Sequence, residues 1–151
     1  MPTEWEKMIA GELYDASDPE IGVSLKRSRS LCKEFNATEP GQIEKRRRIL
    51  TSLFSRGGDT ARIEPPFFCD HGTNIHLGQS VFFIFNCVVL DVCKVTIGDF
   101  TLFGPSVQIL TPLHPLDAVL RRSVEYGSPI EIGEDVWVGG GAIICPGVRI
   151  G

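Results

Sequence analysis

In residues 130–144, IEIGEDVWVGGGAII, one short pattern repeats every six residues. Two apolar residues stand at positions i and i+2, and a glycine follows the second in Ile132-Gly133 and Val138-Gly139. Residues two apart on a strand point to the same side, and a glycine lets the chain turn where a Cβ would clash. The pattern therefore predicts a coil of short strands with branched side chains stacked inward, which is typical of a hexapeptide β-helix.

The same spacing extends through the chain from Ile63 onward. We call position i of each repeat the first inward position and position i+2 the second. The first inward position is predicted at Ile63, Cys69, Ile75, Val81 and Cys87, then at Val95, Thr101 and Val107 after two extra residues, and at Ile130, Val136, Ala142 and Val148 after an insertion. Ile109 and Ile132 are 23 residues apart where six would continue the coil. We therefore predict a β-helix over residues 58–151, with a loop insertion at about 110–129 that leaves the scaffold, as functional loops often do.

Residues 1–57 carry a helical pattern and are predicted to form a small N-terminal helical domain, whose short helices must pack on the rest of the chain. Thr3 followed by Glu6 is a candidate capping box, and two amphipathic segments at about 20–35 and 42–54 are separated by Pro40-Gly41. The basic runs at 26–29 and 45–48 have two interpretations, a solvated helix face or a patch for an anionic ligand. Nearby acidic residues favour the solvated face.

Composition excludes several classes of protein. The length of 151 residues suggests one domain with a small appendage, and the net charge of -4 disfavours a nucleic-acid binder. No apolar stretch is long enough to span a bilayer, and the N-terminus has no secretory h-region. Five cysteines without a CxxC pair indicate reduced thiols in a cytoplasmic protein.

Three groups of motifs resemble the hexapeptide acyltransferases, and most closely the maltose/galactoside O-acetyltransferase family, which includes the nodulation acetyltransferases. They are the Ile-Gly repeats, KMIAGELY at 7–14 and TPLHPLD at 111–117. The resemblance covers essentially the whole chain. It implies a mainly β fold, a left-handed parallel β-helix of hexapeptide repeats with a small N-terminal helical domain. It also implies acetyl-CoA as co-substrate, a sugar or sugar derivative as acceptor, and a homotrimer with active sites between subunits.

The insertion carries the predicted catalytic residue, His114. An imidazole, whose ordinary pKa is ~6.5, is suited to proton removal at neutral pH, and TPLHPLD matches the catalytic histidine motif of the family. The resemblance implies direct transfer, in which His114 takes the proton of a sugar hydroxyl and then protonates the departing thiolate. A carboxylate should orient the imidazole; Glu125 and Asp117 are both candidates, and Glu125 is preferred.

The resemblance places the acceptor pocket at Asp70, Ile84, Asn86 and Asp91. Asn86 and Asp91 can hydrogen-bond sugar hydroxyls, or they serve as corner residues of turns. Ile84 departs from the family, in which Asn is typical at this position, so a less polar acceptor is an open alternative.

Coenzyme contacts are predicted at Trp137, Gly139 and Gly140. A backbone N–H in the run 139–141 is the predicted donor to the oxyanion of the transition state. Trp137 has a second interpretation, in which the indole only covers the outside of the coil.

The sequence also leaves open a metal site and a structural role. Three histidines are present, His71, His76 and His114, but His71 and His76 are five residues apart in a coil of period six, so convergence on a metal is disfavoured. The chain stops at Gly151 as a new hexad begins, whereas family members continue. A shortened, catalytically weak or inactive β-helix that acts as an assembly or structural protein is therefore the alternative function.

Overall fold

Helices occupy the first third of the chain in the computed structural model, which describes residues 1–151. They are α1 (Glu4–Ala10), α2 (Pro19–Asn36) and α3 (Ile43–Leu53). The predicted capping box starts α1, because the Thr3 hydroxyl accepts the Glu6 N–H and the Glu6 carboxylate accepts the Thr3 N–H. Asp18 caps α2 by accepting the N–H of Glu20. None of the three helices has the length and apolar character needed to cross a lipid bilayer.

Twelve short strands then wind around three faces, and the chain visits face 1, face 2 and face 3 in turn. Face 1 consists of β1 (Arg62–Ile63), β4 (Phe82–Phe83), β7 (Leu102–Phe103) and β12 (Trp137–Val138). Face 2 consists of β2 (Phe67–Cys69), β5 (Cys87–Leu90), β8 (Gln108–Leu110) and β13 (Ile143–Ile144). Face 3 consists of β3 (Ile75–Leu77), β6 (Val95–Ile97), β11 (Ile130–Ile132) and β14 (Arg149–Ile150). All pairs within a face are parallel, so the predicted parallel β-helix is confirmed.

Two further strands lie outside the coil, between β8 and β11. They are β9 (Pro112–Leu113) and β10 (Tyr126–Gly127), which pair antiparallel as a hairpin. A 3-10 turn, Leu120–Arg122, lies between them. This hairpin is the outward excursion that the 23-residue spacing predicted.

The register of the first coil differs from the sequence prediction. Ile63 pairs with Phe83 and Cys69 pairs with Val89, so both occupy the second inward position and not the first. The sequence predicted two extra residues only before Val95, but two extra residues also occur before Ile75. Equivalent residues of the first coils are therefore 20 apart, as the strand pairs Arg62–Phe82 and Phe82–Leu102 show. The prediction of the first inward position for Ile63 and Cys69 was wrong. Both alignments of the repeat place apolar side chains inward in this coil, and only the pairing of strands distinguishes the two alignments.

A column of phenylalanine rings fills the centre of the coil. The rings of Phe83 and Phe103 stack with centroids 4.3 Å apart, and Phe67 meets Phe83 edge-on at 5.5 Å. Phe54, which follows α3, meets Phe67 edge-on at 5.8 Å. Each such contact contributes about 1 kcal/mol beyond the burial of the rings. The column therefore joins the helical segment and the β-helix in one core.

Candidate active site

The hairpin places His114 beside Glu125. Leu113 lies opposite Tyr126 in the pair β9–β10, so the residues next to them are neighbours in space. His114 Nδ1 is 3.6 Å from Glu125 Oε2, and the imidazole side chain is 58% exposed. This distance exceeds that of a hydrogen bond, and such contacts commonly tighten when substrate binds. Because Nδ1 faces the carboxylate, Nε2 is the nitrogen that can meet a substrate.

The second candidate carboxylate, Asp117, is used elsewhere. Its Oδ1 accepts the N–H groups of Val119 and Leu120, each at 2.8 Å. Asp117 therefore caps the 3-10 turn of the excursion. Of the two carboxylates considered from the sequence, Glu125 is the one beside the imidazole.

Glu125 is held in turn by Tyr14, to which the sequence assigned no role. The Tyr14 hydroxyl donates to Glu125 Oε1 at 2.6 Å, and the two backbones form an antiparallel bridge with N···O distances of 2.9 and 3.1 Å. Tyr14 is 1% exposed. Burial, reinforced by the bond to Glu125, raises the pKa of Tyr14 far above its usual range, so the phenol stays protonated and donates.

Two glycines allow close packing of the hairpin: Gly11, which follows α1, packs against β10, and Gly127 packs against the coil. Gly11 ends α1 with a φ of 78°, and a Cβ there would lie 2.9 Å from the carbonyl oxygen of Gly127. A Cβ on Gly127 would lie 2.8 Å from Cys93 Sγ and 3.0 Å from the Thr111 oxygen. These separations are too short for a side chain, so the hairpin packs at positions where only glycine is small enough.

Asp70 lies at the same corner of the coil as the hairpin, between faces 2 and 3. Burial, followed by the negative charge of Glu125, raises the pKa of Asp70 to about 6, and Arg29 opposes the rise. Asp70 lines an open cavity of about 680 Å³, which Arg29, Lys33 and Phe68 also line. Near neutral pH the carboxyl can thus accept a hydrogen bond from a hydroxyl when it is ionised, or donate one to a hydroxyl when it is protonated.

Asp91, predicted to bind the acceptor, is instead fully buried. Its two oxygens accept the N–H groups of His71 at 2.9 Å and Asn74 at 3.2 Å. Burial raises the pKa of Asp91 to about 8. The Asp91 side chain therefore stabilises the turn between β2 and β3 by accepting its N–H groups, as the interpretation of Asp91 as a turn residue predicts. The prediction of an acceptor contact is corrected, because no surface of this carboxyl is open to a ligand.

Ile84 and Asn86 lie at a different corner, between faces 1 and 2. Asn86 is exposed, with a φ of 63° in the left-handed region that Asn tolerates. Its side-chain amide donates to Ser106 Oγ at 3.2 Å, and its N–H donates to the Pro66 oxygen. The side chain of Ile84 is half-buried beside it.

The predicted coenzyme contacts belong to this second corner as well. Trp137 is 80% exposed on face 1, and Gly139 and Gly140 lie exposed at the corner that follows β12. Asn86 and Asp91 flank β5, and five residues at ~3.3 Å each separate the two corners by about 16 Å. A single chain therefore holds the predicted site residues in two separate groups.

No group of three or more His, Cys, Asp or Glu side chains converges in a way that could hold a metal ion. His71 is buried and its Nδ1 lies 2.8 Å from Ser24 Oγ. His76 lies on the outer side of β3. The three histidines are thus used in three different environments.

Comparison with known proteins gives matches over nearly the whole chain. Residues 7–58 match the family model described as the maltose acetyltransferase hexapeptide capping motif. Nodulation protein L of Rhizobium meliloti (strain 1021) is 48% identical over 147 residues, which are 97% of this chain and 80% of that protein. The chain belongs to the maltose/galactoside O-acetyltransferase family. This enzyme family is the one that the hexapeptide and histidine motifs resemble.

Solved structures of the family share the whole architecture. A maltose O-acetyltransferase from Clostridium difficile 630 has a TM-score of 0.96 and 44% identity, over 98% of this chain and 80% of that one. A galactoside acetyltransferase in complex with coenzyme A has a TM-score of 0.93 and 36% identity, over 100% of this chain and 76% of that one. The helices, the coil and the hairpin of this chain thus form a family fold.

Proposed function

We propose that this chain transfers the acetyl group of acetyl-CoA directly to a hydroxyl of a sugar or sugar derivative, with His114 as the general base. The arrangement of Tyr14, Glu125 and His114 carries the proposal. A buried phenol holds one oxygen of the carboxylate, the other oxygen faces Nδ1, and the exposed imidazole presents Nε2. The coenzyme A complex of the galactoside acetyltransferase supports the choice of acetyl donor.

The reaction follows from that orientation. Nε2 of His114 takes the proton of the acceptor hydroxyl as its oxygen attacks the thioester carbonyl. Glu125 stabilises the imidazolium that forms, as an orienting carboxylate does in other general-base pairs. When the tetrahedral intermediate collapses, the C–S bond breaks and the imidazolium proton passes to the coenzyme A thiolate. The histidine is regenerated and no acyl-enzyme forms.

The complete site takes residues from two copies of the chain. Because five residues of extended chain separate the two corners by about 16 Å, we assign Trp137, Gly139 and Gly140 of the complete site to a neighbouring copy in a homotrimer. A backbone N–H at Gly139 or Gly140 then donates to the oxyanion. The left-handed winding implied by the family resemblance is part of the same proposal, since it determines which faces of neighbouring copies meet.

The acceptor is assigned to the corner of Asp70. A partly buried carboxyl is a suitable partner for a sugar hydroxyl, and the cavity beside it has apolar walls at Phe68 and Leu90. Ile84, supplied by the neighbouring copy, adds no hydrogen bond. An acceptor with an apolar side is therefore favoured over a fully hydroxylated one.

An assay of thiol release from acetyl-CoA over a panel of sugars tests the function. Wild type is expected to release thiol only when an acceptor is present, and His114→Ala is expected to lower kcat by about 10²- to 10⁴-fold. The melting temperature should not change, because the imidazole is exposed.

His76→Ala is the matched control, since it removes an imidazole from the outer side of β3. It should retain the wild-type rate. An unchanged rate in His114→Ala contradicts the general base. No sugar-dependent release by the folded wild-type chain contradicts the enzyme proposal and favours the structural alternative.

A further inference from the structure

Two buried cysteines outside the proposed catalytic group meet where α2 crosses β2. Cys32 Sγ and Cys69 Sγ are 3.8 Å apart, and the residues are 5% and 7% exposed. Two sulfurs at this separation are in van der Waals contact. A disulfide requires them to close to about 2.05 Å, a movement that side-chain rotation can supply if the two backbones are already in place.

Hydrogen bonds on both sides of the pair fix those backbones. One turn after Cys32, the Asn36 amide donates to the Phe67 oxygen at 3.0 Å and accepts the Phe67 N–H at 2.8 Å. One turn before Cys32, the Ser28 hydroxyl donates to the oxygen of Asp70. Residues four apart share one helix face, so this face of α2 lies along β2. The contact between the two thiols is therefore imposed by the fold.

An adjoining cavity and the lowered pKa of Cys32 favour reaction of the pair. Both cysteines line the open cavity of about 680 Å³. The hydrogen bond from the Cys69 thiol lowers the pKa of Cys32, whereas that same bond and burial raise the pKa of Cys69. Cys32 is thus the sulfur that ionises first, and the thiolate is the reactive form.

We propose that Cys32 and Cys69 form a redox-active dithiol, which closes to an intramolecular disulfide on reaction with a low-molecular-weight disulfide such as oxidised glutathione. The Cys32 thiolate attacks one glutathione sulfur, and the first glutathione thiolate leaves. The Cys69 thiol then loses its proton to solvent and displaces the second glutathione. Two protein thiols are oxidised, and one glutathione disulfide is reduced to two thiols.

The cross-link would join the helical segment to the β-helix next to Asp70. The two residues are 37 apart in sequence, and a disulfide across a loop of that length stabilises a protein mainly by restricting the unfolded chain. We therefore expect oxidation to raise the melting temperature. This inference is independent of the proposed acetyl transfer.

Peptide mapping of the full chain in glutathione buffers tests the proposal. Cys145→Ser removes the one exposed thiol and so suppresses links between chains. Before alkylation, the oxidised chain is expected to be lighter by about 2 Da, because two thiol hydrogens are lost, and to have a higher melting temperature. Alkylation under denaturing conditions and digestion should then give a Cys32–Cys69 linked peptide, and a phosphine reductant should reverse all three results. Oxidation of the unfolded chain should not favour this pairing over others.

Serine variants provide the controls. Cys32→Ser and Cys69→Ser, each in the Cys145→Ser background, should abolish the linked peptide, and Cys87→Ser should retain it. If a single variant does not fold, the peptide map of the Cys145→Ser chain decides alone. Absence of the 32–69 link at every glutathione ratio, or a lasting mixed disulfide at Cys32, overturns the proposal.

Discussion

Tyr14 is the residue on which the direction of the Glu125 carboxylate depends. Its hydroxyl and its backbone both bond to Glu125, across a sequence separation of 111 residues. An imidazole whose Nδ1 faces a fixed carboxylate keeps Nε2 available for a substrate. The proposed catalytic geometry thus depends on a buried phenol.

Tyr14→Phe is expected to weaken both the fold and the reaction. Removal of the hydroxyl leaves Glu125 Oε1 without its donor, and loss of a hydrogen bond to a charged group costs about 1.5–3 kcal/mol. We expect a lower free energy of unfolding in urea and a lower kcat, with little change in the KM for acetyl-CoA. Tyr126→Phe is the matched control in the same hairpin, and equal effects of the two variants would contradict the role of Tyr14.

Asp70 gives the stability of the fold a dependence on pH. Because its pKa is raised from 3.8 to about 6, the native state holds this proton more tightly than the unfolded chain does. The stabilisation is full below about pH 4 and is lost as pH rises through 6. Relative to Asp70→Asn, the wild type should therefore lose up to about 3 kcal/mol of unfolding free energy between pH 4 and pH 7. A difference that does not vary over this range, measured by urea unfolding, contradicts the raised pKa.

Sequence indicates residue roles only where a local motif exists. His114 stands in a recognisable motif, and Glu125 is one of two carboxylates in the same loop. Tyr14 has no comparable local signal, because its partner is more than one hundred residues away. Asp91 was misassigned for a related reason: an aspartate at a corner looks the same in sequence whether it faces solvent or caps buried N–H groups.

At the scale of elements, the hairpin depends on the glycines beneath it. Gly127 contacts the coil so closely that a Cβ would meet Cys93 Sγ at 2.8 Å. A shift of β10 to relieve this contact also moves Glu125, two residues earlier. The positions of His114 and Glu125 are therefore set by the packing of the whole hairpin on the coil.

Gly127→Ala is expected to lower both stability and kcat. Overpacking of this kind costs about 1–3 kcal/mol, and displacement of β10 separates Glu125 from His114. Gly22→Ala is the matched control on α2, where a Cβ meets nothing within 4 Å. It should raise the unfolding free energy by about 1 kcal/mol, as expected for a helix interior, and leave kcat unchanged. Thermal unfolding and the thiol-release assay measure both effects, and a Gly127→Ala chain that matches the wild type would contradict close seating of the hairpin.

The coil of short strands was predictable because strand, turn and glycine recur at a fixed spacing, whereas its three sides were implied only by the family resemblance. The sequence could not predict which residues of the first coil take the first inward position, since Ala61 and Phe67 fit the six-residue spacing as well as Ile63 and Cys69 do. Strand pairing resolves it by placing Ile63 beside Phe83. Local pattern therefore determined the kind of element, and long-range pairing determined its register.

At the scale of the whole molecule, the predicted site residues are divided between two corners of the coil. His114, Glu125 and Asp70 lie between faces 2 and 3, whereas Gly139 and Gly140 lie between faces 1 and 2. The width of one face separates the two groups. Under the proposed function, a complete site therefore needs two copies of the chain.

Subunit complementation tests the division directly. His114→Ala and Trp137→Ala chains, each weakly active alone, should regain activity when they are co-expressed, because some interfaces then combine an intact His114 with an intact Trp137. For random assembly in a trimer, about one quarter of the sites are restored. The mass by light scattering should be about three times 16.6 kDa. No gain over the separate variants would place both residues in the same chain's site.

The 20-residue repeat of the first coils also constrains how such a rod can change in length. Excision of one complete turn leaves the strands above and below it with matching partners, and the ring of Phe67 could stack on that of Phe103. Loss of a single residue instead reverses the side chains of the strand that follows, since inward and outward positions alternate. Insertions and deletions tolerated during evolution should therefore come in whole turns of the rod, or in the excursions that leave it.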